Sequence, residues 1–251
     1  MNLQRIKAHY DEQGFVVVPQ MLPPDAFREL AANIDRYIRE IVPGLPAGEA
    51  FYDADRSRPE TLKQLQRMEQ DPYFADYMRN PYWKSVAEAI LGEEANASGV
   101  EWFNKPAGTN HITPPHQDNY YFNFAPPSVL TMWMALDPVD EENGCLRYLP
   151  GSHRRGIRLH GRTKTLGFSQ GISDYGDADR ALEMPIVLRP GDVTIHHGNT
   201  IHRADANQSA TRHRRSFAMV FKGVSCRRDE AAFARYLASS KAHEEQLMKV
   251  P

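Results

Sequence analysis

Residues 185–204 read Pro-Ile-Val-Leu-Arg-Pro-Gly-Asp-Val-Thr-Ile-His-His-Gly-Asn-Thr-Ile-His-Arg-Ala and carry the pattern that decides the fold. Three short apolar segments, 185–189, 192–196 and 200–204, are separated by the turn-forming pairs Pro-Gly and Gly-Asn. Several short strands punctuated by such turns are typical of a β-sandwich or β-barrel. We therefore expect three consecutive strands in this stretch.

More strands are predicted on either side, because the hydrophobic period is two from about residue 97 onward. They cover 99–104, 128–137, 145–149 and 215–222. The N-terminal part instead shows the spacing of three to four that is typical of helices. The predicted helices cover 3–13, about 24–41 and about 73–91, with a strand at 15–19, and a last helix covers 227–247. Residues 43–60 and 152–183 are predicted as loops.

Helices followed by many short strands predict a mainly β fold with flanking α-helices. We expect a single domain over residues 1–251, since no repeat, low-complexity segment or clear linker interrupts the chain. Its predicted parts are a helical region at about 1–95, a β core at about 96–225 and the C-terminal helix at about 227–247.

The charge balance is close to neutral, with 30 Lys and Arg against 32 Asp and Glu and a net charge of −2. Such a balance gives no general attraction for nucleic acid or an anionic membrane, so the expected partner is a small molecule. The N-terminus has no apolar signal segment, and no apolar run approaches the length of a membrane span. The only cysteines, Cys145 and Cys226, are expected to be reduced. These features predict a cytoplasmic protein.

A candidate metal site lies in His116-Gln117-Asp118 together with the distant His202. On a strand, a spacing of two points the His116 and Asp118 side chains to the same face. Two imidazoles and one carboxylate on one side of a metal leave the other side open, as in non-haem Fe(II) oxygenases. The pattern therefore predicts an iron site made by His116, Asp118 and His202.

Two alternatives remain open from the residues alone. His196 and His197 compete with His202 for the third position. Zinc also binds two histidines and an acid, which would indicate a hydrolase. The helical His-Glu-x-x-His motif of many zinc proteases is absent from the chain.

The chain resembles the phytanoyl-CoA dioxygenase family of Fe(II)/2-oxoglutarate oxygenases over about residues 10 to 225. The segments that carry the resemblance follow the order of the family. They are Gly14-Phe-Val-Val-Val-Pro19, Asn104-Lys-Pro106, Pro115-His-Gln-Asp118, Trp133-Met-Ala-Leu-Asp137, Asn143-Gly-Cys-Leu146, Leu149-Pro-Gly-Ser-His153, Pro190-Gly-Asp-Val193, His202, Asn207-Gln-Ser209 and Arg214-Arg-Ser216. This resemblance implies a double-stranded β-helix, or cupin-like jelly roll, with iron at one open end.

The resemblance also selects among the candidate site residues. The family pattern of a histidine followed by Asn-x-Ser begins at His202, and not at His196 or His197. Family members commonly continue with Gly-Ser, whereas this chain has Arg203-Ala204. Halogenase relatives lack the carboxylate that Asp118 supplies here. The resemblance therefore implies hydroxylation more than halogenation, while desaturation, epoxidation and ring formation stay open.

The implied cofactors are Fe(II), with 2-oxoglutarate and dioxygen as co-substrates. An arginine pairs well with the far carboxylate of such a diacid, because its planar donors make two parallel hydrogen bonds. Family position favours Arg214, with Ser216 on the same strand face, and Trp133 matches a position near the co-substrate. Arg215 is the nearest alternative, since basic residues crowd together here.

The expected function is a 2-oxoglutarate-dependent dioxygenase that hydroxylates a C–H bond of a small molecule. Aromatic residues in 119–124 are candidates for the substrate pocket, and the basic connector 152–183 is a candidate lid for an anionic substrate. The alternatives are a metal-binding jelly roll without oxygenase activity and a zinc-dependent hydrolase. The oligomeric state stays open.

Overall fold

The computed structural model describes residues 1–46, 48–53, 56–165 and 168–247. The α-helices are α1 (Leu3–Gln13), α2 (Pro24–Glu40), α3 (Pro72–Met78), α4 (Pro81–Leu91), α5 (Asp118–Phe122), α6 (Asp177–Arg180) and α7 (Glu230–Leu247). The strands are β1 (Phe15–Val18), β2 (Ala50–Tyr52), β3 (Leu62–Leu65), β4 (Ala95–Lys105), β5 (Thr113–His116), β6 (Phe124–Ala125), β7 (Val129–Ala135), β8 (Leu146–Tyr148), β9 (His160–Thr165), β10 (Phe168–Ile172), β11 (Met184–Pro185), β12 (Val193–His197), β13 (His202–Ala204), β14 (Arg214–Gly223) and β15 (Arg227–Arg228). Short 3-10 helices lie at Val42–Gly44, Pro59–Thr61, Met68–Gln70 and Ser152–Arg155. None of the described helices is long and apolar enough to cross a membrane.

Two antiparallel sheets form the centre of the molecule. The larger has the order β1-β12-β7-β14-β4-β3-β2, and the smaller has the order β11-β8-β13-β5. Trp133 and Ala218 of the larger sheet share one apolar cluster with Leu146 and Tyr148 of the smaller. The inner faces of the two sheets therefore pack against each other, as in a jelly roll. The predicted fold class, a mainly β jelly roll with flanking helices, is confirmed.

The larger sheet is covered on both faces, which the alternation along β14 shows clearly. Phe217, Met219 and Phe221 belong to the apolar cluster that includes the N-terminal helices. Ser216 and Ala218 lie on the opposite face, toward the smaller sheet. Burying an aromatic or Met side chain of this kind contributes roughly 2 kcal/mol. One face of each strand thus anchors the helices, and the other face is available to a site.

The junction between α1 and β1 holds the N-terminal helix against this sheet. Gly14 ends the helix with φ of 84°, and a Cβ there would lie 2.4 Å from Nδ1 of His153. Only glycine fits this conformation and this space. The Gly14 carbonyl accepts hydrogen bonds from the His197 amide at 2.9 Å and the Thr200 hydroxyl at 2.6 Å. The glycine therefore links the first helix to the segment that precedes His202.

Several predicted boundaries are wrong for identifiable reasons. The predicted helix at 73–91 is two helices, because Asn80 caps a new helix at Pro81, whose missing N–H suits a first turn. The predicted strand at 185–189 shortens to Met184–Pro185, followed by a single bridge between Leu188 and Val139. The predicted loop at 43–60 contains strand β2, and the predicted loop at 152–183 contains β9, β10 and α6.

The prediction that His116 and Asp118 share a strand is also wrong. His116 is the last residue of β5, and Asp118 is the first residue of α5. Gln117 between them is extended, with φ of −128° and ψ of 123°. An extended linking residue keeps the side-chain alternation of a strand, so both side chains still point to one side.

Candidate active site

His116, Asp118 and His202 come together at one end of the space between the sheets. Oδ1 of Asp118 lies 3.5 Å from Nε2 of His116 and 3.6 Å from Nε2 of His202. The two histidines face each other across the β5–β13 pair, with ring centroids 4.1 Å apart. The ligand atoms of the three residues all lie within 4.8 Å of one another. The structure thus brings the three predicted ligands together.

Both imidazoles are oriented by backbone carbonyls. Nδ1 of His116 hydrogen bonds to the Pro114 carbonyl at 2.7 Å, and Nδ1 of His202 bonds to the Thr200 carbonyl at 3.0 Å. A ring that donates through Nδ1 presents the lone pair of Nε2, which is the form that binds a metal. Burial, together with the neighbouring His116, lowers the pKa of His202 well below its usual value. His202 is therefore neutral, as a ligand must be.

His196, an alternative to His202 as the third ligand in the sequence, lies beside the carboxylate and is not in the group of converging ligand atoms. Its Nε2 lies 3.0 Å from Oδ2 of Asp118, and its Nδ1 lies 2.8 Å from the Tyr148 hydroxyl. Thr131 donates a second hydrogen bond to the same Oδ2 at 2.8 Å. Both bonds hold one carboxylate oxygen and leave Oδ1 facing His116 and His202. His196 thus orients the carboxylate, and the neighbouring His197 points away and accepts the Asn199 amide.

Gln117 and His160 support the group and were missed by sequence reasoning. Gln117 is completely buried, and its amide donates to the carbonyls of Gly156 and Asn199, each at 2.8 Å. Its backbone amide donates to Nε2 of His160 at 3.3 Å. Gln117, the middle residue of the His-x-Asp motif, therefore links residues 152–183 to the loop before His202.

Arg214 lies in the same cavity as the three residues, buried to 3% exposure. It makes no ion pair with any described residue, and its Nε is buried without a hydrogen-bond partner. Nη1 lies 3.4 Å from Oγ of Ser216, and the guanidinium carbon lies 5.3 Å from the centre of the Trp133 ring. Burial lowers the pKa of Arg214 to about 10. The predicted group of Arg214, Ser216 and Trp133 is therefore assembled around an unpaired cation.

Arg215, the alternative anchor, points out of the cavity. Its guanidinium pairs with Asp137 at 2.8 Å, and its side chain is 43% exposed. The next basic residue, Arg212, pairs with Asp140 at 2.8 Å. Since both are already neutralised at the surface, the geometry favours Arg214 as the anion-binding residue.

The cavity has a volume of about 210 Å³ and extends beyond the predicted residues. Further lining residues are Lys63, Gln64, Gln66, Glu101, Phe103, Lys105, Tyr121, Phe122 and Tyr236. Tyr121 and Phe122 were predicted within the aromatic run, whereas the residues of β3, β4 and α7 were not. The signal for β4 was present in the sequence. Glu101 and Lys105 are charged residues on the same face of a strand, and the partner of that strand, β14, is largely buried.

The basic connector does not contribute to this lining. No described residue of 152–183 lines the cavity. Arg158 is paired within the connector, with Asp174 at 2.9 Å and Asp179 at 2.8 Å. The side chain of Lys164, another residue of the predicted lid, lies outside the described residues.

The donor set fits a non-haem iron ion. Two imidazole nitrogens and one carboxylate oxygen converge, and their remaining polar atoms are occupied by backbone or side-chain partners. Among the residues that the structure describes, the group of converging ligand atoms consists of these three. A three-ligand set of this type leaves coordination positions for small molecules.

A jelly roll with two histidines and a carboxylate at the end of its cavity has the architecture of the Fe(II)/2-oxoglutarate oxygenase class. The sequence model of the family described as "Phytanoyl-CoA dioxygenase (PhyH)" matches residues 10–216. The chain belongs to this family, as the sequence resemblance implied.

Individual relatives agree with this assignment. "Phytanoyl-CoA dioxygenase, peroxisomal" of Mus musculus is 28% identical over 217 residues, which are 80% of this chain and 62% of the relative. The chain thus spans less than two thirds of the length of that protein.

Solved structures support the fold. EvdO2 from Micromonospora carbonacea var. aurantiaca, complexed with 2-oxoglutarate, is 26% identical, with a TM-score of 0.70 over 89% of this chain and 91% of that one. The epimerase SnoN, in complex with Fe3+, alpha ketoglutarate and nogalamycin RO, is 23% identical, with a TM-score of 0.71 over 89% of this chain and 84% of that one.

Proposed function

We propose that this protein is an Fe(II)- and 2-oxoglutarate-dependent dioxygenase that hydroxylates a C–H bond of a small-molecule substrate. The observation that carries the proposal is the buried, unpaired Arg214 in the same cavity as His116, Asp118 and His202. A three-residue metal group alone would fit several reactions. The added cation selects for a co-substrate that carries a carboxylate.

The three metal residues have defined roles in this proposal. Nε2 of His116, Nε2 of His202 and Oδ1 of Asp118 would hold the iron. When bound, the iron supplies oxidative decarboxylation of 2-oxoglutarate to succinate and carbon dioxide, coupled to oxidation of the substrate. His196 and Thr131 keep the carboxylate turned toward the two imidazoles. Asp118 supports hydroxylation over halogenation, because it fills the position that a halide would need.

The charge of the cavity supports a dianionic co-substrate. A buried cation without a partner costs several kcal/mol of desolvation, which a bound carboxylate offsets. Lys105 faces Arg214 across the β4–β14 pair and is 1% exposed, and Lys63 nearby is 8% exposed. Burial lowers the pKa of Lys105, and the Arg214 charge adds to this. Bidentate pairing with Arg214 and a hydrogen bond from Ser216 would orient the distal carboxylate.

The relatives bear on the details of this function. EvdO2 is complexed with 2-oxoglutarate and SnoN with Fe3+ and alpha ketoglutarate, which supports iron as the metal and 2-oxoglutarate as the co-substrate in this proposal. SnoN is an epimerase and SnoK, 21% identical, is a carbocyclase, so the same fold serves reactions other than hydroxylation. We keep a cytoplasmic location as part of the proposal, although the mammalian relatives are named peroxisomal.

The test is anaerobic addition of Fe(II) and 2-oxoglutarate, followed by visible absorption and then by succinate formation on admitting oxygen. The wild type should develop the weak band of a chelated keto acid. His202→Ala should lose both the band and the succinate. Arg214→Gln should lose 2-oxoglutarate affinity by about a hundredfold, in keeping with removal of a charge-assisted bidentate pair.

Arg215→Gln is the matched control, because it removes the same charge from the next residue in the chain, whose side chain points out of the cavity. It should bind 2-oxoglutarate as the wild type does. Equal losses in the two arginine variants would contradict the proposed anchor. A protein that retains zinc, gives no band and hydrolyses esters without oxygen would contradict the proposed oxygenase.

A further inference from the structure

One side of the cavity is not used by the metal group or by the carboxylate anchor. The anchor and the metal residues lie on β5, α5, β7, β13 and β14. The opposite side is formed by residues of 62–66 and β4 together with the aromatic residues of α5 and α7. These segments contribute Lys63, Gln64, Gln66, Glu101, Phe103, Asn104, Lys105, Tyr121, Phe122 and Tyr236 to the lining, and Lys105 is the residue that faces Arg214 across the β4–β14 pair. This side is where a substrate can lie next to a bound co-substrate.

Glu101 is placed on this side by strand register. Ala218 of β14 is the partner of Trp133 on one neighbouring strand and of Glu101 on the other. Residues directly opposite one another in a sheet share a face, so Glu101 points into the cavity as Trp133 does. The small Ala218 between them leaves open space at this level. Glu101 is therefore two strands from Trp133 and faces the same volume.

The Glu101 carboxyl has no basic partner among the described residues. Its hydrogen-bond partner is the side chain of Gln64, which is neutral. Burial raises the pKa of Glu101 to about 8, and the carboxylates of Asp118 and Glu69 add to this. The charged form of an enclosed acidic group carries a desolvation cost, which the positive charge of a bound ligand would offset.

The surrounding rings strengthen this interpretation. The rings of Tyr121 and Tyr236 lie 5.6 Å apart between centroids, and both border the cavity together with Phe122. Aromatic faces attract organic cations, and they also cover apolar carbon chains. A carboxyl that shares a cavity with several aromatic rings is a combination that can recognise an amine attached to an apolar group.

We propose that Glu101 determines substrate specificity by binding the ammonium group of a small organic amine, whose apolar part packs on Tyr121, Phe122 and Tyr236. This inference rests on the proposed function, because it assigns the substrate side of the same cavity. On binding, a carboxylate–ammonium pair forms, in which the ammonium N–H donates a hydrogen bond to the Glu101 carboxylate.

The test compares butylamine, butanol and butyrate, which share an alkyl chain and differ in their head group. Each is titrated into protein supplied with Fe(II) and 2-oxoglutarate under nitrogen, and dissociation constants are taken from the rise in thermal midpoint. The wild type should bind butylamine at least about tenfold more tightly than either analogue. Glu101→Gln should reduce this preference to about twofold or less, with unchanged midpoint shifts from 2-oxoglutarate alone.

Glu69→Gln is the matched control, because it makes the same chemical change at a neighbouring carboxylate that does not line the cavity. It should keep the preference for the amine. The inference is overturned if Glu101→Gln keeps that preference too, or if butanol or butyrate binds the wild type as tightly as butylamine. If 2-oxoglutarate gives no midpoint shift in the wild type, the failure belongs to the proposed function instead.

Discussion

The side-chain amide of Gln117 donates a hydrogen bond to the main-chain carbonyl of Asn199 at 2.8 Å, although the two residues are 82 positions apart in the chain. The same amide group reaches the Gly156 carbonyl, and its oxygen accepts the Arg158 amide, each at 2.8 Å. One buried residue therefore satisfies three backbone groups on two other segments. Because Asn199 lies just before His202, this residue also sets the spacing between the two halves of the metal group.

Replacing Gln117 by Ala should destabilise the protein and weaken metal binding together. Three backbone groups would lose their partner, and the bond to the Asn199 carbonyl is fully buried. Because a buried group left unsatisfied costs about 1–3 kcal/mol, we expect a loss in that range in urea unfolding and at least about a tenfold loss in Fe(II) affinity. The exposed Gln70→Ala serves as a control and should change stability by less than about 0.5 kcal/mol. A Gln117→Ala protein with normal Fe(II) affinity would refute the linking role.

Replacing His196 should weaken the metal site without abolishing it. His196 contacts Oδ2 of Asp118 but is not one of the three converging residues. Removing a residue that orients a ligand commonly reduces metal affinity by about 10–100-fold. We expect His196→Gln to show this partial loss, whereas His202→Ala should bind no measurable Fe(II) at the same concentrations. Equal losses in the two variants, measured by metal titration, would show that His196 is itself a ligand.

Arg203 should contribute to stability, since it forms an enclosed ion pair with Glu183. Their side chains are 10% and 2% exposed, and Nη2 of Arg203 lies 2.7 Å from Oε2 of Glu183. Removing one partner leaves the other charge buried and unpaired, which costs about 3–5 kcal/mol. Arg203→Ala should therefore lower the free energy of unfolding by that amount. Arg212→Ala should cost clearly less, because the Arg212 side chain is 35% exposed and its ion pairs are screened by solvent, and similar losses in both would contradict the argument.

Arg214 should destabilise the protein when no co-substrate is present. Replacing an unpaired buried charge by an apolar side chain of similar length removes a desolvation cost. We expect Arg214→Met to be more stable than the wild type by about 1 kcal/mol or more in the absence of 2-oxoglutarate. Adding 2-oxoglutarate and Fe(II) should reverse the order, because only the wild type gains from binding. Unfolding curves with and without both compounds would check this, and a destabilised Arg214→Met in both conditions would oppose it.

The stability of the fold should fall in mild acid through His197. Burial lowers the pKa of His197 to about 4, and the neighbouring His153 adds to this. In the unfolded chain this imidazole titrates near about 6.5, so below that pH the unfolded state gains a proton that the folded state does not. The stabilising contribution is complete above pH 6.5 and decreases toward pH 4, by up to about 1.4 kcal/mol per pH unit.

The measurement is urea unfolding of the wild type and His197→Gln at pH 7, 6 and 5. The variant lacks the titrating ring, so its stability should depend less steeply on pH over this interval. Parallel pH dependences in the two proteins would show that His197 does not carry the effect. At pH 7 the variant should still be less stable, because the Asn199 amide loses its partner at Nδ1.

The strands that were predicted correctly are those with both a regular period and a clear turn. β7, β12 and β14 were predicted to within a few residues because β-branched, Met and aromatic residues alternate between two buried faces. The metal residues could be predicted because their spacing carries the chemistry. A physical argument from the sequence could propose an arginine anchor but could not choose Arg214 over Arg215. The exposure of each side chain depends on which face of β14 is turned toward the cavity.

The parts that could not be predicted depend on long-range packing. Strand β3 has no alternating pattern of burial, because all four of its residues are buried. The short helix that begins at Asp118 has too few residues to show a period. Tyr236 reaches the cavity from α7 only after the chain has folded back, and its sequence neighbours give no sign of this.

The two-faced alternation of β14 has a consequence for how the sequence can change over generations. Adding or deleting one residue in this strand would exchange its faces, placing Phe217 in the cavity and Ser216 among the helices. Core and catalytic pocket would be lost in a single step, so insertions and deletions should be eliminated here. Outside its contacts with Gln117 at Gly156, Arg158 and His160, the connector 152–183 is not subject to this coupling, so length differences between members of the family should accumulate there.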